Sequence, residues 1–148
     1  MSSTQRSDFR CWHRLRVRWA EVDMQKVVFN AHYLTYIDTA VADYWREIGL
    51  DYPGGYLQKY GNDVFLRKAT VEYLGSARYD DELAVYCRVA KLGRSSFTWA
   101  VEIHRDQPLV TAELVYVNAD PKTMKAAPLP GELRGRIRAY ERTAPLQA

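Results

Sequence analysis

Cysteine is scarce in this chain of 148 residues: only Cys11 and Cys87 occur, and their separation fits no metal-ligand motif. A disulfide framework and a zinc module are both excluded, and the economical expectation is a reduced, cytoplasmic protein. The histidines His13, His32 and His104 share no spacing that would gather them around an ion, so no metal and no redox cofactor is expected. No apolar run approaches the roughly 20 residues of a membrane helix. The first ten residues are polar, so no apolar signal segment is expected there. A formal charge of +3 is too small to argue for nucleic acid as partner. Neither a Gly-x-Ser-x-Gly elbow nor a glycine-rich phosphate loop is present, which removes the serine-hydrolase and P-loop readings. Nothing repeats and no stretch is low in complexity. One domain over residues 1–148 follows, long enough to bury an ordinary core without staples.

The run from Arg18 to Ile48 organises that domain. Asn30 is a good cap type, and Tyr33, Ile37, Ala40, Tyr44 and Ile48 recur at helical spacing after it. Leu34, Val41 and Trp45 widen the same face, and Gly49 is a good residue to stop on. So broad an apolar face predicts a helix wrapped by a sheet. Residues 1–8 read as a flexible tail. From Cys11 to Trp19 the chain alternates, with His13, Leu15, Val17 and Trp19 on one side and Arg14, Arg16 and Arg18 on the other.

Beyond the loop at Asp51–Gly55 and a short turn of helix at Tyr56–Tyr60 come four strand-like runs: Val64–Leu74, Leu83–Leu92, Phe97–Arg105 and Leu109–Asn118. The last three, joined by short links, suggest an antiparallel meander. A short edge strand is expected near Lys122–Ala126, and a C-terminal helix over residues 131–142 presents Leu133, Ile137 and Tyr140 inward. One long helix with about five antiparallel strands is an α+β fold.

Upstream of the helix stands Glu21-Val22-Asp23-Met24-Gln25-Lys26-Val27-Val28-Phe29-Asn30-Ala31-His32-Tyr33, with the helical acid Asp38 beyond. This stretch resembles the signature of the hot-dog acyl-CoA thioesterases of the 4-hydroxybenzoyl-CoA thioesterase type, and a looser similarity continues through Tyr79-Asp80-Asp81 and Arg94-Ser95-Ser96-Phe97. The resemblance implies a hot-dog fold, with an antiparallel sheet of about five or six strands wrapped around one central helix. It also implies hydrolysis of an acyl-CoA to free acid and coenzyme A, by a homodimer or homotetramer whose sheets join edge to edge. A non-catalytic hot-dog module that binds or senses acyl-CoA is the second reading. A hot-dog dehydratase is disfavoured, because no histidine occupies the turn before the helix.

The resemblance places the catalytic carboxylate at Asp23, where it serves as nucleophile or as base for water; otherwise Asp23 is a turn residue that accepts nearby N–H groups. It places the oxyanion donor at the backbone N–H of Asn30, at a helix end where free N–H groups gather. The resemblance puts the phosphate contacts for coenzyme A in the turn at Arg94, with Lys91 as a weaker candidate; otherwise Arg94 is a solvated turn arginine. Phe29 and Tyr33 are candidates to line the acyl pocket, as are Tyr36, Phe65 and His32, although each could equally be core. Asp38 either positions water in that pocket or sits at a subunit contact. Three positions depart from the family: Glu21 for the first aspartate, Val41 for an arginine, and Lys26 for a glycine. Lys26 brings a side chain to a turn that favours positive φ, where it narrows the mouth of the site or meets an anionic acyl group.

Overall fold

Each long alternating run becomes a strand in the computed structural model, which describes residues 6–147. The strands β1 (Cys11–Arg16), β2 (Asp63–Tyr73), β3 (Glu82–Leu92), β4 (Ser96–His104) and β5 (Pro108–Ala119) form one sheet in the order β1-β3-β4-β5-β2. All of these pairings are antiparallel. Period-two burial sets the faces: β3 turns Leu83, Val85, Cys87 and Val89 inward, and β4 does the same with Phe97, Trp99, Val101 and Ile103. Register shifts at Leu66/Lys68, Val89/Lys91 and Ile103/His104 interrupt the ladders, and such irregularities bend a sheet.

The helix α1 (His32–Glu47) fills the hollow and buries Tyr33, Ile37, Ala40, Val41, Tyr44 and Trp45, as its spacing predicts. Tyr44 and Trp45 meet Trp99 edge-on, with ring centroids 4.8 and 5.6 Å away. Each such pair adds about 0.5–1.5 kcal/mol beyond the area it buries. Gly49 ends the helix at φ +86°, and a Cβ there would stand 2.7 Å from Nη1 of Arg136. That same nitrogen donates to the Ile48 carbonyl at 2.7 Å, so glycine suits the conformation, and a larger residue would also have to push this guanidinium aside. A second helix, α2 (Gly55–Tyr60), precedes β2, and α3 (Gly131–Tyr140) packs Leu133, Ile137 and Tyr140 into the core. This is the hot-dog arrangement that the motif implies.

The sheet's two edges differ. One is shared by β1, along the first half of β3, and by β6 (Leu146–Gln147), which pairs in parallel with Lys91 and Leu92. The other edge is β2, which pairs only with β5 and leaves Leu66, Tyr73 and the adjoining Leu74 half-exposed.

Several local expectations need correction. The first strand ends at Arg16: the Val17 N–H still donates to the Asp81 carbonyl across from it at 2.9 Å, but the Glu21 N–H then turns back to the Arg18 carbonyl at 3.0 Å, and Trp19 enters a 3-10 turn (Trp19–Glu21) with its ring exposed. Asn30 does not cap α1: Ala31 holds that position without a side-chain hydrogen bond. Leu34 faces solvent. Lys122–Ala126 is not a strand but a turn on Asp120, which accepts from Lys122 and Met124, with a single bridge between Ala119 and Ala126. Strand β6 had no signal in the sequence pattern. Arg6–Asp8, read as tail, forms a 3-10 turn, and Arg6 Nε donates to Nδ1 of His104 at 3.4 Å; the remainder of that tail lies outside the described residues. No described helix is long and apolar enough to cross a membrane.

Candidate active site

Between β1 and α1 the chain folds into a small hairpin whose base is Glu21. The Phe29 N–H donates to the Glu21 carbonyl at 2.9 Å, Val22 bridges Val28, and the Asp23 N–H donates to the Val27 carbonyl at 3.0 Å. Val28 is tied in turn to the Ala77 carbonyl at 2.8 Å, which fixes the hairpin to the segment that leads into β3. Glu21 is the anchor. Its buried carboxylate accepts from the Arg18 N–H at 2.8 Å, from the Arg18 guanidinium at 2.9 and 3.0 Å, and from the Tyr36 hydroxyl at 2.9 Å. Burial alone would raise its pKa, but these donors outweigh burial and hold it below the ordinary carboxylate value. The hairpin is therefore clamped to the first turns of α1 through Tyr36.

Asp23 sits at the hairpin tip, half-buried. One carboxylate oxygen, Oδ1, accepts the Gln25 N–H at 2.8 Å; among the described residues Oδ2 has no donor. Lys26 closes the tip at φ +64°, donating its N–H to the Asp23 carbonyl at 2.9 Å. A lysine thus adopts the left-handed turn for which glycine is suited, at a cost of about 1–2 kcal/mol. Past the hairpin, the Phe29 carbonyl accepts from His32 and the Asn30 carbonyl from Tyr33. Among the described residues the N–H groups of Asn30 and Ala31 donate to no protein acceptor. Tyr73, from the open edge strand, reaches the Asn30 carbonyl at 3.4 Å. A carboxylate oxygen and two unpaired N–H groups thus share one short connection into a helix N-terminus. These are the parts that addition to a carbonyl requires.

An open groove of about 730 Å³ runs past Asp23, lined by Trp19, Val22, Met24, Lys26, Arg78 and Tyr79. Trp19 and Tyr79 form an edge-on pair, with centroids 5.3 Å apart, though they are distant in sequence. Phe29 is 45 % exposed beside the same connection, with His32 6.0 Å from it. Tyr33 is buried and already engaged: its hydroxyl accepts the Ala77 N–H at 3.0 Å and its ring packs on Tyr73 and Tyr36.

Asp38 belongs to a different and more enclosed pocket of about 280 Å³, with Val41, Trp45, Tyr52, Tyr56 and Tyr116 among its walls. It is eight residues up the chain from Asn30, about 12 Å at about 1.5 Å per residue. Asp38 is open to solvent on one side, yet desolvation by the pocket walls raises its carboxyl above the ordinary aspartate value. Arg94 and Lys91 are exposed at the β3–β4 turn, and neither makes an ion pair among the described residues. Within one chain they lie at the far end of β3 from Asp23, roughly 33 Å along the strand at about 3.3 Å per residue. Sequence reasoning missed the Glu21–Tyr36 clamp, although Tyr36 lies one helical turn from Tyr33. It also missed the Trp19–Tyr79 wall, which only the fold brings together.

The sequence model of the Thioesterase superfamily matches residues 25–112, more than half of the chain. The chain belongs to the thioesterase superfamily and is a thioester hydrolase. Among its relatives is the acyl-CoA thioester hydrolase YbgC of Escherichia coli, 28 % identical over 118 residues that span 78 % of this chain and 87 % of that one. A putative esterase of Aquifex aeolicus is 29 % identical over 94 residues, 64 % of this chain and 72 % of that one. Among solved structures, a thioesterase from Thermus thermophilus complexed with coenzyme A and zinc superposes with a TM-score of 0.80 at 28 % identity, covering 92 % of this chain and 97 % of that one. The family match begins two residues beyond Asp23 and does not include that carboxylate. Among the described residues no group of three or more His, Cys, Asp or Glu is placed to hold a metal ion.

Proposed function

We propose that this thioester hydrolase acts on acyl-CoA, releasing a carboxylic acid and coenzyme A. The observation that carries the reading is the pair of unpaired N–H groups at Asn30 and Ala31, set directly after the hairpin that bears Asp23. Asp23 takes a proton from water as the oxygen adds to the thioester carbon, or adds to that carbon itself to give an anhydride that water then opens. The charge that grows on the carbonyl oxygen is met by the N–H groups at the start of α1; one such donor is typically worth about 100- to 1,000-fold in rate. Collapse of the intermediate expels the thiolate of coenzyme A, which is protonated by the proton Asp23 took from water in the first route, or by the one released when water opens the anhydride in the second. This chemistry is carried by the chain's own residues, without metal or redox cofactor. Lys26 and Phe29 flank the approach, Asp38 and Tyr33 lie deeper along α1, and Arg94 and Lys91 hold the phosphates.

The reading includes a homodimer, alone or paired into a tetramer, joined through the open edge at β2. A two-fold axis beside β2 would run the two copies of that strand antiparallel. The partner's Arg94 would then lie at the same end of the joined sheet as Asp23, which brings phosphate contact and carboxylate onto one substrate. The free thiols of Cys11 and Cys87 suit a reducing compartment, and we place the enzyme in the cytoplasm.

The test is thiol release by the purified protein from short, long, branched and aromatic acyl-CoAs, with the assembly state measured by sedimentation at micromolar concentration. Turnover of at least one class by a dimer or tetramer is expected. No turnover on any class would contradict acyl-CoA as substrate, and an active monomer would remove the shared site.

A further inference from the structure

We propose that Cys11 and Cys87 are a peroxide-sensitive dithiol that closes to a disulfide between β1 and β3. The two residues are direct partners in the antiparallel ladder. Opposed residues in such a ladder have Cα atoms about 4.5 or 5.5 Å apart, and both values lie inside the range that a disulfide spans. Both side chains leave the same face of the sheet and converge on one acceptor, the Ala40 carbonyl of α1, with sulfur–oxygen distances of 3.9 Å for Cys11 and 3.6 Å for Cys87. Neither thiol has a part in the hydrolysis proposed above. Closure thus needs rotation of two side chains on strands already in register.

The two thiols are not equivalent. Cys87 is fully buried, and the contact with Cys11 together with burial pushes its thiol well up, which makes it the slower of the two to be oxidised and leaves it to act second. Cys11 is the first paired residue of an edge strand and lies on a groove of about 230 Å³ with Trp12, Asp43, Arg46 and Glu47. Cys11 is itself only 3 % exposed, so of two buried thiols it is the one set against the groove, and it is the sulfur that a small oxidant meets first. The Cys11 sulfur attacks one oxygen of hydrogen peroxide as its proton passes to the other; the O–O bond breaks, Cys11 becomes a sulfenic acid, and the other oxygen leaves as water. The Cys87 sulfur then attacks the Cys11 sulfur, the S–O bond breaks, and the hydroxide leaves as a second water with the Cys87 proton. Two thiols lose two electrons and one peroxide gains them. The product cross-links positions far apart in the chain, which constrains the unfolded state and raises thermal stability.

The experiment treats the full-length protein with a small excess of hydrogen peroxide, unfolds it, counts free thiols and maps linked peptides. Expected is loss of both thiols within single chains, a mass lower by two hydrogens, a peptide that links Cys11 to Cys87, and a raised melting temperature that dithiothreitol reverses. Cys87→Ser should stop at a sulfenic acid on Cys11 that dimedone traps, while Cys11→Ser should leave Cys87 as a free thiol. Two thiols that survive treatment, oxygen added to sulfur without a link, or links only between chains would each overturn the proposal.

Discussion

At the C-terminal half of α1, Tyr44 and Trp45 are locked against Trp99 and Phe97, and all four rings are buried. At the N-terminal end of the same helix, Trp19, Met24 and Phe29 stand 74, 100 and 45 % exposed around a hairpin held by hydrogen bonds instead of packing. The two ends are about 24 Å apart on a helix of 16 residues at about 1.5 Å each. One end supplies cohesion, and the other keeps a carboxylate oxygen and two N–H groups unpaired where solvent can reach them, a state that is costly in a packed core. The difference shows how one element can join a packed region to an open one that carries unpaired polar groups. Substitutions at its two ends should accordingly move different observables.

The largest stability effect belongs to Trp99→Ala. The ring is fully buried among Tyr44, Trp45, Phe97 and Tyr116, so its loss should cost about 3–5 kcal/mol and lower the melting temperature by roughly 10 °C. Trp99→Phe should cost much less, because it also removes an indole N–H that is buried without an acceptor. Equal losses in the two variants would contradict the packing account of this end.

Next comes Glu21→Gln, at the clamp between hairpin and helix. Loss of the charged partner should cost about 1–2 kcal/mol, a modest figure because Arg18 is largely in water. Since the folded pKa of Glu21 is depressed, its contribution is fully present above the unfolded carboxylate value and is lost as pH falls through the folded one. Wild type and variant should therefore differ most at neutral pH and converge in denaturation curves as pH falls below the ordinary carboxylate range and through the lowered folded value. A gap independent of pH would show that the charge is not what the clamp uses.

The smallest effect is expected at the hairpin tip, where Lys26→Gly relieves the positive φ but gives the unfolded chain more freedom. A stability change within about 1 kcal/mol is expected, in favour of the variant. A melting temperature lowered by several degrees would mean that the Lys26 side chain holds the turn.

Much of this division can be read in the sequence. The helical period of Tyr33, Ile37, Ala40 and Tyr44, the stop at Gly49 and the alternation of β4 are local patterns, and the structure follows them. What period does not carry is the pairing of distant segments. Trp19 leaves the strand pattern because Arg18 and Glu21 close a 3-10 turn that Tyr36 of α1 also holds, and β6 exists because Leu146 finds Lys91. Arg94 can be read as an exposed turn cation, but its separation from Asp23 appears only once the strand order is known. The clamp on Glu21 is intermediate: the acid and Tyr36 are both visible, but their hydrogen bond depends on how the hairpin folds back over α1.

The claim that hydrolysis happens at the exposed end is tested most directly by Asp23→Asn, with thiol release and melting measured on the same preparation. Asparagine keeps an oxygen for the Gln25 N–H, so the turn should survive and the melting temperature should stay within a degree or two of wild type. Turnover of acyl-CoA should fall by at least about 100-fold, the lower bound for losing a general base. Turnover within a few-fold of wild type, in a variant that melts normally, would contradict the assignment of Asp23.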